Sequence, residues 1–328
     1  LADATPNRLG QINQTGDELA LFQKKFSGEV LSKYIPRVTM DGKHFVKGIT
    51  QGKGYDFPAV GGISAHYHTP GAELTGQGVN HGNRYVPIDS LLISDIYVDN
   101  LDELMLHWDV RSRYAKQMAG TMAKKYDMNI MKEIILGARA GGLTDDMPGG
   151  TILEDANFGA ADEVTRMKAL VDGIYAAEQA LYDNDVDVEN EIVYCALKPA
   201  DYAVLTKNAD TNGWSPIHRD YGGEGSIATG KIPKISNIHL VRSNNLPTTN
   251  LTLKTDANYD PYHTVNASTT SGIVWVEDAI GTVKLMEMTT EAGWDMRRQA
   301  WLILTKMAVG HGWLRPEGLV ELRTRTPV

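Results

Sequence analysis

From Asn100 to about Leu136 the apolar residues recur three or four positions apart. Leu101, Met105, Trp108, Ser112, Ala115, Ala119, Met122, Tyr126, Ile130 and Ile134 fall on one stripe. The spacing predicts one long helix, about 50 Å from end to end at 1.5 Å per residue. Asn100 is placed to cap it, Glu103 stands three residues on, and Gly137, followed by Gly141 and Gly142, supplies the stop. The small residues Ser112, Ala115 and Ala119 let another backbone approach closely. An ordinary core helix would share this periodicity. The length, without heptad charges, reads as a beam under a sheet rather than a coiled coil.

The pattern on either side differs. Residues 1 to about 43 read as an extended arm with one short amphipathic helix, capped by Asp17 or Thr15 and carrying Leu19, Leu21, Phe22 and Phe26. His44 to Thr50 is a strand candidate, and Asn83 to Val98 is the returning one. Between them lie Gly52, Gly54, Gly61, Gly62, Gly71, Gly76, Gly78 and Gly82, with too few apolar residues for a core. Such a stretch is a long arm that finds its burial on another subunit.

After the long helix, Gly141 to about Ala160 reads as a Gly/Asp/Pro linker. A second helix follows from Ala161 to about Tyr182, then a strand from Ile192 to Leu197 and a short helix opened by Pro199. Trp214 to Thr229 and Asn244 to Asn258 read as loops around a strand at Ile238 to Val241. The last segment is strand-rich, at Ile273 to Val276, Thr282 to Met288, Trp301 to Val309 and Leu319 to Arg323. These strands need a cover, which the long helix offers. The α/β part between them then reads as an insertion.

Composition narrows the class. The chain has 328 residues, 42% hydrophobic and 22% charged, as in ordinary globular proteins, which implies one large or two ordinary domains. No apolar run is long enough for a membrane-spanning helix. The net charge of −9 argues against strong binding of nucleic acid through its phosphates. Cys195 is the sole cysteine and sits in an apolar strand, so no intramolecular disulfide forms and the residue reads as a buried small hydrophobe.

Candidate chemistry is sparse. Gly225 to Lys231 has phosphate-loop spacing, but Ile232 stands where Ser or Thr is needed, and Pro233 blocks a following helix. Asp183, Asp185 and Asp187 begin like a calcium loop, yet Val188 replaces the required glycine and Tyr194 the glutamate. His66, His68 and His81 lie in the Gly-rich arm, which offers no fixed cage for a metal. The triplets beginning at Asn13, Asn250 and Asn266 match glycosylation acceptors, without a secretory pattern to accompany them. No catalytic constellation, cofactor site or metal site is read, which points away from an enzyme.

Several stretches resemble the major capsid proteins of short-tailed phages of the T-seven type. They are Asp17 to Phe22, Phe26 to Leu31, Gly52-Lys53, Phe57-Pro58, Pro70-Gly71, His107 to Ser112, Gly281 to Leu285 and, most sharply, Gly310-His311-Gly312-Trp313-Leu314-Arg315-Pro316-Glu317. They run in order along essentially the whole chain. Trp313 stands where the resemblance leads one to expect a small residue.

The resemblance implies an α+β fold of the Hong Kong 97 type. It places an N-terminal arm at 1–43, the E-loop hairpin and its flanking strands at 44–98, and a peripheral domain with the spine helix at 99–160. An axial domain follows at 161–272 and return strands at 273–328. The implied function is structural: hexamers and pentamers of an icosahedral phage head, in the virion, assembled in the bacterial cytoplasm. The implied partners are further copies of the chain, a scaffolding protein, a portal at one vertex, and double-stranded DNA bound weakly and without sequence preference. No membrane is involved. Lys53, Phe57, Tyr67, Arg84, Arg111 and Arg113 are the expected intersubunit contacts. Two alternatives remain at this point: a cellular nanocompartment shell of the same fold, and a nucleotide-binding enzyme using Gly225 to Lys231.

Overall fold

A computed structural model describes residues 38–71, 73–74, 76–99, 110–207, 232, 234–254, 256 and 258–324. The N-terminal amphipathic helix, the proposed cap at Asn100, the Trp214 loop and Gly225 to Lys231 lie outside the described residues. The chain divides into two compact units. One draws on Ser90–Lys124 and Met286–Val309, the other on Thr39–Asp89, Lys125–Leu285 and Gly310–Val328.

In the first unit, strand β4 (Leu92–Asp99) pairs antiparallel with β11 (Ala300–Trp313), from Asp99 opposite Ala300 to Leu92 opposite Met307. Helix α1 (Val110–Ala138) begins here. Its small residues Ala115 and Ala119, with Met118, pack on Ile303, Ile96, Val98, Met288 and Ala292. This is the expected beam under a sheet, and alanine is what lets helix and strands close up.

The second unit holds a six-stranded sheet in the order β5-β12-β9-β6-β8-β7. Its strands are β5 (Thr151–Glu154), β6 (Val193–Leu197), β7 (Lys234–Ile235), β8 (Ile238–Arg242), β9 (Thr270–Val276) and β12 (Leu319–Arg323). β6 is central, parallel to β8 and antiparallel to β9, and reads as an apolar run because neighbours cover both sides. Helix α2 (Glu163–Asp183) touches β5, β12 and β7, and packs beside α3 (Pro199–Lys207). Asp162 caps α2 by accepting from the Thr165 N–H at 2.9 Å. Leu170, Ile174 and Leu181 of α2 are fully buried. Fully burying each such side chain contributes roughly 1.5–3 kcal/mol.

Three expectations are corrected. The stretch from Gly141 to Ala160 is not only a linker: Thr151–Glu154 pairs parallel with β12, and Asp155 caps a 3-10 turn that buries Phe158. Asn83 to Val98 is two strands, β3 (His81–Pro87) and β4, because Pro87 has no N–H to continue a ladder. Gly137 does not stop α1, which runs on to Ala138. A Cβ at Gly137 would stand 2.3 Å from Leu319 Cδ1 and 2.7 Å from Trp313 Cβ, so close packing is what the glycine provides.

The second unit also carries a hairpin. β2 (Gly54–Val60) pairs antiparallel with β3 from Gly54 opposite Pro87 to Val60 opposite His81. Ahead of it, β1 (Phe45–Gly48) runs parallel to the start of β10 (Ile280–Asp295).

Candidate functional site

The β2–β3 hairpin is packed at its root, where Val86 is fully buried, and open between its strands. Among the described residues between its strands, Ile63 is 71% exposed, Leu74 is 70% exposed and Tyr67 is fully exposed. Apolar side chains held in water on a projecting loop mark a contact surface. His66, His68 and His81 are also exposed, as expected of surface histidines.

The root of the hairpin explains the Gly-His-Gly-Trp motif. A Cβ at Gly310 would stand 1.9 Å from the Pro87 carbonyl oxygen, and one at Gly312 would stand 2.8 Å from Val86 Cγ2. Only glycine allows β3 this close to β11. Trp313 lies under the guanidinium of Arg84, with 3.9 Å from Cζ to the ring centroid, and its carbonyl accepts from Arg84 Nε at 3.3 Å. Trp313 therefore has a definite partner where a small residue was expected.

His311 points into a buried polar cluster built on the second half of α1, where Tyr126 through Ile135 are all buried. Its Nδ1 lies 2.9 Å from Thr282 Oγ1, and its ring meets Tyr126 edge-on at 5.0 Å. Burial holds His311 well below the ordinary imidazole range. Burial likewise pushes His44 down to about 4, against the hydrogen bond to the Met40 carbonyl. The third histidine differs. Burial alone would lower His263, but Asp89 at 2.7 Å and Glu133 at 2.8 Å outweigh it and raise the ring to about 9.

The same half of the helix fastens three further segments. Asp127 accepts from the Thr39 N–H at 2.9 Å, the Thr39 hydroxyl at 2.7 Å, the Met40 N–H at 3.2 Å and Asn245 Nδ2 at 3.0 Å. Asn129 donates to Asp260 at 3.0 Å, and Lys132 donates to the Asn258 carbonyl at 3.0 Å. Burial lowers the Lys132 ammonium to about 8, with Lys125 adding to the effect. At the end of α1, Arg139 makes two 2.7 Å bonds to the fully buried Glu321.

The expected contact residues are scattered. Lys53 is exposed near the start of β2. Phe57 is half-buried against Phe45 and Tyr55, at centroid distances of 6.0 and 4.9 Å. Tyr67 lies in water and Arg84 is engaged within its own chain. Arg111 and Arg113 fall in the first turn of α1, and their side chains are outside the described set. Sequence reasoning missed the polar cluster on α1. A histidine between two glycines in an apolar strand was its one local signal.

Other motifs resolve simply. Asp185, at φ +58°, turns the chain after α2, and Asp187 accepts from the Asn190 N–H at 3.3 Å. Two of the glycosylation-like triplets are side-chain turns: Asn250 Oδ1 accepts from the Thr252 N–H, and Asn266 Oδ1 from the Ser268 N–H, each at 3.1 Å. Cys195 is buried, and burial pushes its thiol up to about 12.

One unit thus holds a strand pair with the start of a long helix on it, and the other a six-stranded α/β sheet and the hairpin. Residues 56–323 match the model of the family described as Gp10A-like major capsid protein. The chain is 29% identical over 327 residues to the major capsid protein of Escherichia phage T7, covering 92% of this chain and 91% of that one. It is 26% identical over 328 residues to the major capsid protein of Enterobacteria phage T3, covering 94% and 92%. The capsid of Cyanophage P-SCSP1u superposes with a TM-score of 0.72 at 34% identity, covering 99% of this chain and 100% of that one. A virus-like particle from Pyrococcus furiosus shares the fold, with a TM-score of 0.58 at 13% identity over 92% of this chain and 99% of that one. The chain belongs to the Gp10A-like major capsid protein family, with the Hong Kong 97-type fold. It is a shell subunit of a tailed-phage virion, and neither alternative reading is favoured.

Proposed function

We propose that the chain forms hexamers and pentamers of an icosahedral head around double-stranded DNA, and that residues 54–87 are the E-loop, laid on a neighbouring subunit. The observation that carries this is the exposure of Ile63, Tyr67 and Leu74 between the strands of the hairpin. Burying them against a neighbour supplies roughly 25 cal/mol per Å² of apolar area. In this reading Lys53, Phe57, Arg111 and Arg113 lie at subunit boundaries, and Arg84 stiffens the arm from within.

The domain scheme follows the expected boundaries: arm 1–43, E-loop region 44–98, peripheral segment 99–160, axial domain 161–272 and return strands 273–328. Assembly proceeds on a scaffolding protein, with a portal at one vertex. A net charge of −9 suits a shell that holds DNA weakly and lets it leave. The subunit works by packing, with no catalytic residue, cofactor or metal. Electron microscopy of the purified protein tests the reading. Capsomers or closed shells are expected, and a monodisperse monomer at high concentration overturns it.

A further inference from the structure

The polar cluster of the second unit joins three pieces of chain that are distant in sequence. His263 follows β8, Glu133 lies on α1, and Asp89 stands two residues beyond Pro87, where the hairpin ends. His263 Nδ1 is 2.8 Å from Glu133 Oε1, and Nε2 is 2.7 Å from Asp89 Oδ2. A neutral imidazole donates from one nitrogen only, whereas imidazolium donates from both. Two carboxylates at opposite ends of one buried ring therefore call for the charged form.

We propose that His263 is a proton-dependent latch that ties the root of the β2–β3 hairpin to α1. Among the other described contacts at this root, Arg84 on Trp313 brings a permanent charge and the rest are uncharged. Ile88 N–H donates to the Lys53 carbonyl at 2.8 Å, and Pro87 rests on Gly310. The latch is the ionic tie, and losing its proton turns one of the two bonds into a lone pair facing a carboxylate.

The surroundings keep the charge on this ring. Asp89 and Glu133 face it directly, and Asp260 of its own loop adds negative charge near Asp89. The His311 ring of β11 stands 5.7 Å away and is held neutral by burial, with His263, His44 and Lys284 of β10 all disfavouring a second charge. Arg84 of β3 interacts with Glu133 from the hairpin. His263 is raised to about 9, above its ordinary 6.5. Its stabilisation is thus full below about pH 6.5, weakens as the pH rises, and is gone above about pH 9.

The test uses the unassembled full-length chain, so it stands whether or not the hairpin is the assembly arm. Hydrogen exchange at pH 7 is compared between 81–89 and α2 in the wild type, His263→Gln and Asp89→Asn. Exchange at 81–89 is expected to quicken about tenfold in both variants while α2 stays protected. Asp89→Asn leaves the Glu133 bond in place and carries the test if His263→Gln does not fold. Histidine NMR, with the His263 signals assigned by their loss in His263→Gln or by their shift in Asp89→Asn, is expected to give a midpoint near 9 that falls in Asp89→Asn. Unchanged exchange at 81–89 in Asp89→Asn, or a His263 midpoint at or below 6.5, overturns the latch.

Discussion

The β2–β3 hairpin and the β6–β8–β9 core of the large sheet are built from the same kind of paired strand, with opposite burial. Val193, Cys195, Ala196 and Leu197 of β6 are fully buried, whereas β2 alternates half-buried and exposed from Tyr55 to Val60. Backbone pairing alone is marginal for an isolated hairpin in water. The sheet supplies its own stability, while the hairpin borrows it, from its root and in our reading from a neighbour. Changes in the two regions should therefore be read by different assays: those in the hairpin tip by assembly, those in the sheet and root by folding.

Removing the tip makes the sharpest break. Val60 stands opposite His81, so residues 61–80 can be replaced by Asn-Gly to close a two-residue turn. We expect shells to be absent by electron microscopy, with the melting temperature within about 2 °C of wild type. Normal shells from this variant would overturn the contact role of the tip.

The root should behave in the reverse manner. Gly310→Ala places a Cβ 1.9 Å from the Pro87 carbonyl oxygen, whereas the same change at Gly293 meets nothing within 4 Å. Urea unfolding is expected to show a loss of about 3 kcal/mol for Gly310→Ala and under about 0.5 kcal/mol for Gly293→Ala. Equal losses would mean that the close approach carries no energy. A smaller effect is expected at Asp127, which gathers four donors on the α1 face. Asp127→Ala strands two backbone N–H groups, and a loss of about 2 kcal/mol is expected. The unfolding midpoint in urea checks it, and no change would show that water replaces the carboxylate.

The contrast also separates what was legible in the sequence from what was not. α2, β6, β8, β9 and β12 could be placed because burial imposes a period or an apolar run, and Asp162 and Pro199 mark where two helices begin. The exposed stretch between the strands was legible for the opposite reason, its want of apolar residues, but the pairing was not: β3 returns beside β2, inside the Gly-rich stretch, while β1, the expected outgoing strand, runs beside β10. β5 was hidden because four residues on a sheet edge leave no periodic trace among glycines and prolines. The polar cluster was hidden because Glu133 and His263 are 130 residues apart, and no local pattern announces a long-range pair. Gly137 was read as a stop by its chemistry alone, although the same lack of a Cβ serves close packing equally well.

The smallest effect is expected at Lys53. Some shells of this fold join a loop lysine to an asparagine of a neighbouring subunit, and in our reading Lys53 is the candidate for such a lysine. That chemistry needs a desolvated amine with a lowered pKa, held against an amide and an acid. Lys53 is exposed, between Gly52 at φ +115° and Gly54, on backbone that leaves its side chain in water. Buried Lys132 shows the contrast, since burial lowers its ammonium to about 8. Lys53 has no such enclosure within its own chain. The shell is therefore expected to be held without covalent links. Particles boiled in detergent should run as a single band at 36.0 kDa. Lys53→Ala should leave both that band and assembly unchanged, with under about 0.5 kcal/mol lost per subunit. A ladder of multimers that disappears in Lys53→Ala would reverse the comparison, because the arm would then be fixed by a bond rather than by the burial of its tip.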